Sequence, residues 1–167
     1  KWLACGLFGV AAITDFFDGY LARAYGQQSD FGRFLDPIAD KLLVAAALLL
    51  LTGFGQVSGL TILPAVVILC REILVSGLRE FLAGIRISVP VSTLAKWKTM
   101  IQMFAIGFLI VGDSGPDFLP TRLIGESGLW VAAALTLITG YDYLRASLHH
   151  IVRIEKADAM PNTGDDR

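Results

Sequence analysis

Long apolar runs separated by short polar clusters dominate the chain. Five runs approach the ~20 apolar residues that a helix needs to cross roughly 30 Å of hydrocarbon. They are Trp2–Ala22, Pro37–Gly53, Leu60–Leu82, Trp97–Gly112 and Gly125–Leu144. None alternates with the two-residue period of a barrel strand, so each predicts a transmembrane helix. The breaks at 53–59, 84–90 and 113–120 carry Gly, Pro or Asp, the residues that punctuate helices. After the last run, Leu144–Ile154 is amphipathic enough to lie on a membrane surface, and Pro161–Arg167 reads as a polar, frayed end. The pattern predicts an all-α integral membrane protein, a polytopic bundle with five transmembrane helices. Residues 1–156 form one domain in this reading and 157–167 a polar tail.

Composition agrees. Of 167 residues, 54% are hydrophobic and 17% charged, against about 45–50% and about 25% in soluble domains, which excludes an ordinary water-soluble enzyme. A net charge of −1 excludes a nucleic-acid binder working through bulk positive charge. Cys5 and Cys70 both sit in apolar runs, so neither a disulfide framework nor a zinc site is expected. The basic residues set an orientation. Arg23, Arg33 and Lys41 flank the first connection, Arg79, Arg86, Lys96 and Lys98 the third, and Arg145, Arg153, Lys156 and Arg167 the tail. Only Lys1 and Arg122 fall on the other side, and Arg71 lies within a run. This asymmetry predicts a cytoplasmic first connection and C-terminus, with Lys1 outside. No methionine precedes Lys1, and a further upstream segment is expected.

The chemistry concentrates at the predicted cytoplasmic ends of the first two runs, in Asp15-Phe-Phe-Asp18-Gly19-Tyr-Leu-Ala22-Arg23 and Gly32-Arg-Phe-Leu-Asp36-Pro-Ile-Ala-Asp40. Spacings of three and four put each aspartate pair on one helical face, one turn apart. A connection of about a dozen residues lets the two helices pack antiparallel and the four carboxylates converge. An ionised Asp in hydrocarbon costs roughly 2.5–3.5 kcal/mol, so four together call for a cation. Oxygen ligands favour Mg²⁺ or Mn²⁺, and two such ions about 3.5–4 Å apart suit phosphoryl transfer. Packing hydrogen bonds or an ion path are the alternatives, although a carrier should hold polar groups through the full membrane depth. Gly19 and Gly32 each cost about 1 kcal/mol relative to Ala in a helix. A nucleotide base or ribose approaching the backbone would account for them, as would close helix packing.

The combined spacing D-x2-D-G-x2-A-R-x8-G-x3-D-x3-D spans residues 15–40 and is similar to the signature of the CDP-alcohol phosphotransferase family. The resemblance implies a membrane enzyme of six transmembrane helices, one more than the runs above supply. Such an enzyme moves a substituted phosphate from a CDP-linked lipid or alcohol to a second alcohol and releases CMP. It also implies two divalent cations, Mg²⁺ or Mn²⁺, on Asp15, Asp18 and Asp36, with Asp40 as both metal ligand and catalytic general base. Spacing alone does not say which aspartate is the base. Gly19, Ala22, Arg23 and Gly32 match nucleotide-binding positions, and Ser29 falls beside them. A homodimer in a bacterial-type cytoplasmic membrane, its active site facing the cytoplasm, completes the expectation.

Two further segments bear on the acceptor. Cys70-Arg71-Glu72 leads to Arg79 near the end of the third run, and Lys96-Trp97-Lys98-Thr99 with Gln102 opens the fourth. Arg79, Lys96 and Lys98 map to the level of the aspartates, while Arg71 lies nearly three turns inside. Such a cluster suits an anionic second substrate, for example a phosphomonoester. Anchoring of helix ends to lipid headgroups and an Arg71–Glu72 pair are the alternatives. The R-E-x6-R and K-x-K-T-x2-Q patterns resemble the branch of the family that uses CDP-diacylglycerol as donor and sn-glycerol 3-phosphate as acceptor, with Ala95 where that branch commonly has glycine. That resemblance makes Arg71, Arg79, Lys96 and Lys98 acceptor-binding. Serine, inositol, inositol phosphate and phosphatidylglycerol remain open as acceptors, as does a cation carrier or scaffold. His149 and His150 lack an acidic partner at metal spacing and read as solvated tail residues.

Overall fold

In the computed structural model the chain forms five helices: α1 (Trp2–Ala24), α2 (Asp30–Gly53), α3 (Ile62–Gly84), α4 (Thr93–Val111) and α5 (Thr121–Asp158). Short 3-10 turns occupy Gly59–Thr61 and Gly112–Ser114. The structure describes residues 1–24, 30–85, 87, 93–116 and 118–158, with the side chains of 15–24, 30–37, 40 and 150–158 outside that description. No strand occurs among the described residues.

Each apolar run is a helix, with α4 and α5 each beginning four residues before the expected start, at Thr93 and Thr121, and two boundaries differ by more. α2 begins at Asp30 rather than Pro37. Proline costs about 3 kcal/mol in a helix interior, which is why Pro37 reads as a start; yet Asp30, Arg33 and Asp36 do not break a helix, and an acidic residue at its N-terminus is favoured by the macrodipole. α5 does not give way to a separate surface helix at Leu144. It continues as one helix of 38 residues to Asp158, because no Gly or Pro follows Gly140 within it. The Pro161–Arg167 tail lies outside the described residues.

Three helical stretches are long and apolar enough to cross a membrane: Gly59–Gly84, Thr93–Ser114 and Thr121–His149. Trp2–Thr14 and Lys41–Gly53 are shorter apolar stretches within α1 and α2, whose full lengths of 23 and 24 residues correspond to about 35 Å at 1.5 Å per residue. The protein is therefore a multi-pass membrane helix bundle. Its outer surface carries large apolar side chains, among them Leu49, Leu74, Phe104 and Leu137, as expected where lipid is the solvent.

The interior combines Leu and Ile side chains with small groups. α5 packs most extensively on α4 and next on α3, while α1 lies on α4 and α2 on α3 and α4. Along α5 the buried positions Gly125, Leu129, Ala132, Ala133, Thr136, Thr139 and Gly140 recur at helical spacing and form one stripe. Small residues let helix backbones approach where burial from water no longer drives association. At Gly125 a Cβ would stand 2.7 Å from Leu109 Cγ and 3.0 Å from Leu109 N.

The chain reverses between α2 and α3 through Gly55 and Gly59, whose φ values of 71° and 57° lie in the left-handed region that glycine enters without steric cost. At the same end, the Trp2 indole N–H donates to Ser114 O at 3.0 Å, so the start of α1 meets the end of α4. The opposite end thus gathers the C-terminus of α1, the N-terminus of α2, the C-terminus of α3 and the N-terminus of α4.

Candidate active site

That opposite end is where the sequence motifs lie. The last three turns of α1 carry Asp15 and Asp18, and roughly the first three of α2 carry Asp36 and Asp40. The side chains of these aspartates and of Ala22 and Arg23 lie outside the described residues. Gly19 and Gly32 are described only as helical backbone, and Ser29 falls outside altogether. Among the described residues no group of three or more His, Cys, Asp or Glu is placed to hold a metal.

One residue beyond Asp40, the described site begins. Lys41 on α2 reaches α3, with its Nζ 3.8 Å from Glu72 Oε2. Lys98 on α4 donates to Glu72 Oε1, and Arg71 Nη1 approaches the same oxygen at 3.4 Å. Arg71 Nη2 donates to Thr139 Oγ1 on α5 at 3.1 Å. A single carboxylate therefore gathers cations from three helices, and Arg71 extends the network to the fourth. Glu72 lies near the middle of α3, where an unpaired charge would cost several kcal/mol. Among the described residues, three cations against one carboxylate leave a surplus of positive charge in a largely buried site; Lys98 is only 4% exposed.

The polar lining extends beyond the ion pairs. Arg71 Nε, Gln102 Oε1 and Thr136 Oγ1 are buried with no hydrogen-bond partner among the described residues. Gln102 follows Lys98 by one turn, so both lie on one face of α4; Thr136 precedes Thr139 by three positions on α5. Gly140 makes room for Arg71: a Cβ there would stand 3.0 Å from Arg71 Cγ and 3.2 Å from its Nε.

Of the four basic residues expected around the acceptor, Arg71 and Lys98 come together. Arg79 is exposed two turns further along α3, its guanidinium 6.0 Å from the centre of the Tyr143 ring, at the outer limit of a cation–π contact. Lys96 is exposed on α4 and is not part of the network around Glu72. Lys41, which reads in the sequence as a topology signal, belongs to the network instead. Thr136 and Thr139 carried no signal at all, since threonines inside an apolar run are unremarkable until the helices are packed.

Residues 1–138 match the CDP-alcohol phosphatidyltransferase family, and the chain belongs to that family. It is a transferase. Several curated bacterial proteins are similar over most of their length. One from Rickettsia bellii is 53% identical over 146 residues, covering 87% of this chain and 79% of that protein. One from Pectobacterium atrosepticum is 43% identical over 156 residues, covering 90% and 81%. A third, from Cereibacter sphaeroides, is 42% identical over 184 residues of alignment, covering 90% and 83%. All three bear the name CDP-diacylglycerol–glycerol-3-phosphate 3-phosphatidyltransferase.

Proposed function

We propose that this protein transfers the phosphatidyl group of CDP-diacylglycerol to sn-glycerol 3-phosphate, giving phosphatidylglycerophosphate and CMP, as a homodimer in the cytoplasmic membrane with its active site facing the cytoplasm. The observation that carries this reading is the network of Lys41, Arg71 and Lys98 around Glu72, which begins one residue after Asp40 and holds more positive than negative charge. A phosphomonoester on the acceptor is the chemistry such a surplus suits. The shared name of the bacterial relatives supports the same donor and acceptor.

In this reading Arg71 and Lys98 hold the acceptor phosphate. Lys98 has three N–H donors, of which Glu72 takes one, and Arg71 Nε has no hydrogen-bond partner among the described residues. Arg79 and Lys96, at the rim, attract the anion from solvent. Gly19, Ala22, Arg23, Ser29 and Gly32 line the cytidine nucleotide. Four carboxylates are a donor set suited to hard divalent cations, so Asp15, Asp18, Asp36 and Asp40 would hold a pair of Mg²⁺ or Mn²⁺ ions, which when bound neutralise the pyrophosphate. Asp40 accepts the proton of the acceptor hydroxyl, whose oxygen attacks the phosphorus bonded to diacylglycerol. The bond from that phosphorus to the bridging oxygen breaks, and CMP leaves with the bridging oxygen.

The test is CMP release by protein in detergent–lipid micelles with CDP-diacylglycerol and, in turn, glycerol 3-phosphate, serine, inositol and inositol phosphate. Turnover with glycerol 3-phosphate and not with the others is expected. Preference for another alcohol overturns the acceptor assignment, and no CMP release with any of them overturns the reaction.

A further inference from the structure

We propose that Glu72 is a positioning residue: its carboxylate sets the spacing of Lys41, Arg71 and Lys98 so that the last two present their remaining N–H donors to the acceptor's phosphate. The proposal rests on the acceptor reading above and deepens it. Glu72 is the sole anion in direct contact with these cations among the described residues, and each of its oxygens is engaged. Oε1 takes Lys98 and Arg71 Nη1, and Oε2 faces Lys41. Arg71 is constrained from its far side as well, by Thr139 Oγ1 and by the close pass of α5 at Gly140. Among the described residues Lys98 has no such second restraint. Its four-carbon stem is flexible, and without Glu72 its ammonium would turn away from the two other cations. Glu72 thus acts on the acceptor through Lys98 first and Arg71 second. Lys41 contributes differently: it ties the carboxylate to the turn of α2 that follows Asp40, so the seat for the acceptor phosphate and the turn bearing the general base keep a fixed separation.

The test compares Glu72→Gln and Glu72→Asp with the parent enzyme, measuring KM for glycerol 3-phosphate, KM for CDP-diacylglycerol, kcat, and inhibition by inorganic phosphate. Glu72→Gln is expected to raise the acceptor KM about tenfold and weaken phosphate inhibition in proportion, while the donor KM stays within about twofold, since only acceptor binding is touched. Glu72→Asp keeps the charge but draws the carboxylate back by one methylene, and is expected to show the same split to a smaller extent; it carries the test should the Gln variant fail to purify. Both KM values rising together, or a lower unfolding temperature with unchanged kinetic constants, would reduce Glu72 to a structural ion pair and overturn the proposal. The parent enzyme separates the two readings. If it uses glycerol 3-phosphate and the variants show no split, the positioning role alone falls; if it ignores glycerol 3-phosphate, the acceptor assignment falls first.

Discussion

In the proposed mechanism Asp40 and Glu72 do opposite work with the same functional group. A carboxylate that takes a proton must be left able to accept one, whereas both oxygens of Glu72 are engaged by Lys41, Arg71 and Lys98. Asp40→Asn removes the proposed proton acceptor but keeps the shape of the side chain. Turnover is expected to fall by about 10²–10⁴-fold, the usual worth of general base catalysis, with CDP-diacylglycerol binding retained in an equilibrium binding assay; near-normal CMP release would transfer the role to another group. At this scale the sequence was informative where residues share one helix. Asp15 with Asp18, Asp36 with Asp40, and Arg71 with Glu72 are all local relations. It was silent where partners come from different helices. The meeting of Lys41, Glu72 and Lys98 depends on how α2, α3 and α4 pack, and no spacing along the chain encodes that.

The pairing of α4 with α5 is the most extensive among the described residues, and glycine lets the two helices approach. Gly125→Leu would drive a side chain into Leu109 and the α4 backbone, an overpacking that costs about 1–3 kcal/mol. A lower unfolding temperature in detergent is expected. Gly77→Ala, whose Cβ meets nothing within 4 Å, should leave it unchanged or raise it by the helix propensity gained, up to about 1 kcal/mol; equal losses for both would mean that the α4–α5 approach has no special role. Element existence was legible because hydrocarbon thickness demands long apolar runs, and all five appeared as helices. The ends were not. Polar residues before Pro37 and after Leu144 continue α2 and α5, since a polar side chain does not end a helix where the hydrophobicity fades.

Across the whole molecule, alternating helices put the aspartate motif, Arg79 and Lys96 at one end and Trp2, Gln56 and Ser114 at the other. In the proposed orientation, which rests on the basic-residue asymmetry, the first end faces the cytoplasm. In a background of Cys5→Ala and Cys70→Ala, Ser114→Cys should react with a membrane-impermeant maleimide on intact cells, and His149→Cys only after permeabilisation. The reverse pattern would invert the assignment. Ser114 accepts from Trp2 through its backbone oxygen, so the replacement spares that contact. The Arg71–Glu72 pair also bears on biogenesis. Both residues emerge from the ribosome in α3, Glu72 twenty-six positions ahead of Lys98. Until α4 follows, α3 enters lipid with its carboxylate only part-compensated, at a cost of the order of 2.5–3.5 kcal/mol per exposed charge. Its residence in the bilayer is completed by a segment made later, so the two helices leave the insertion machinery most favourably as a pair.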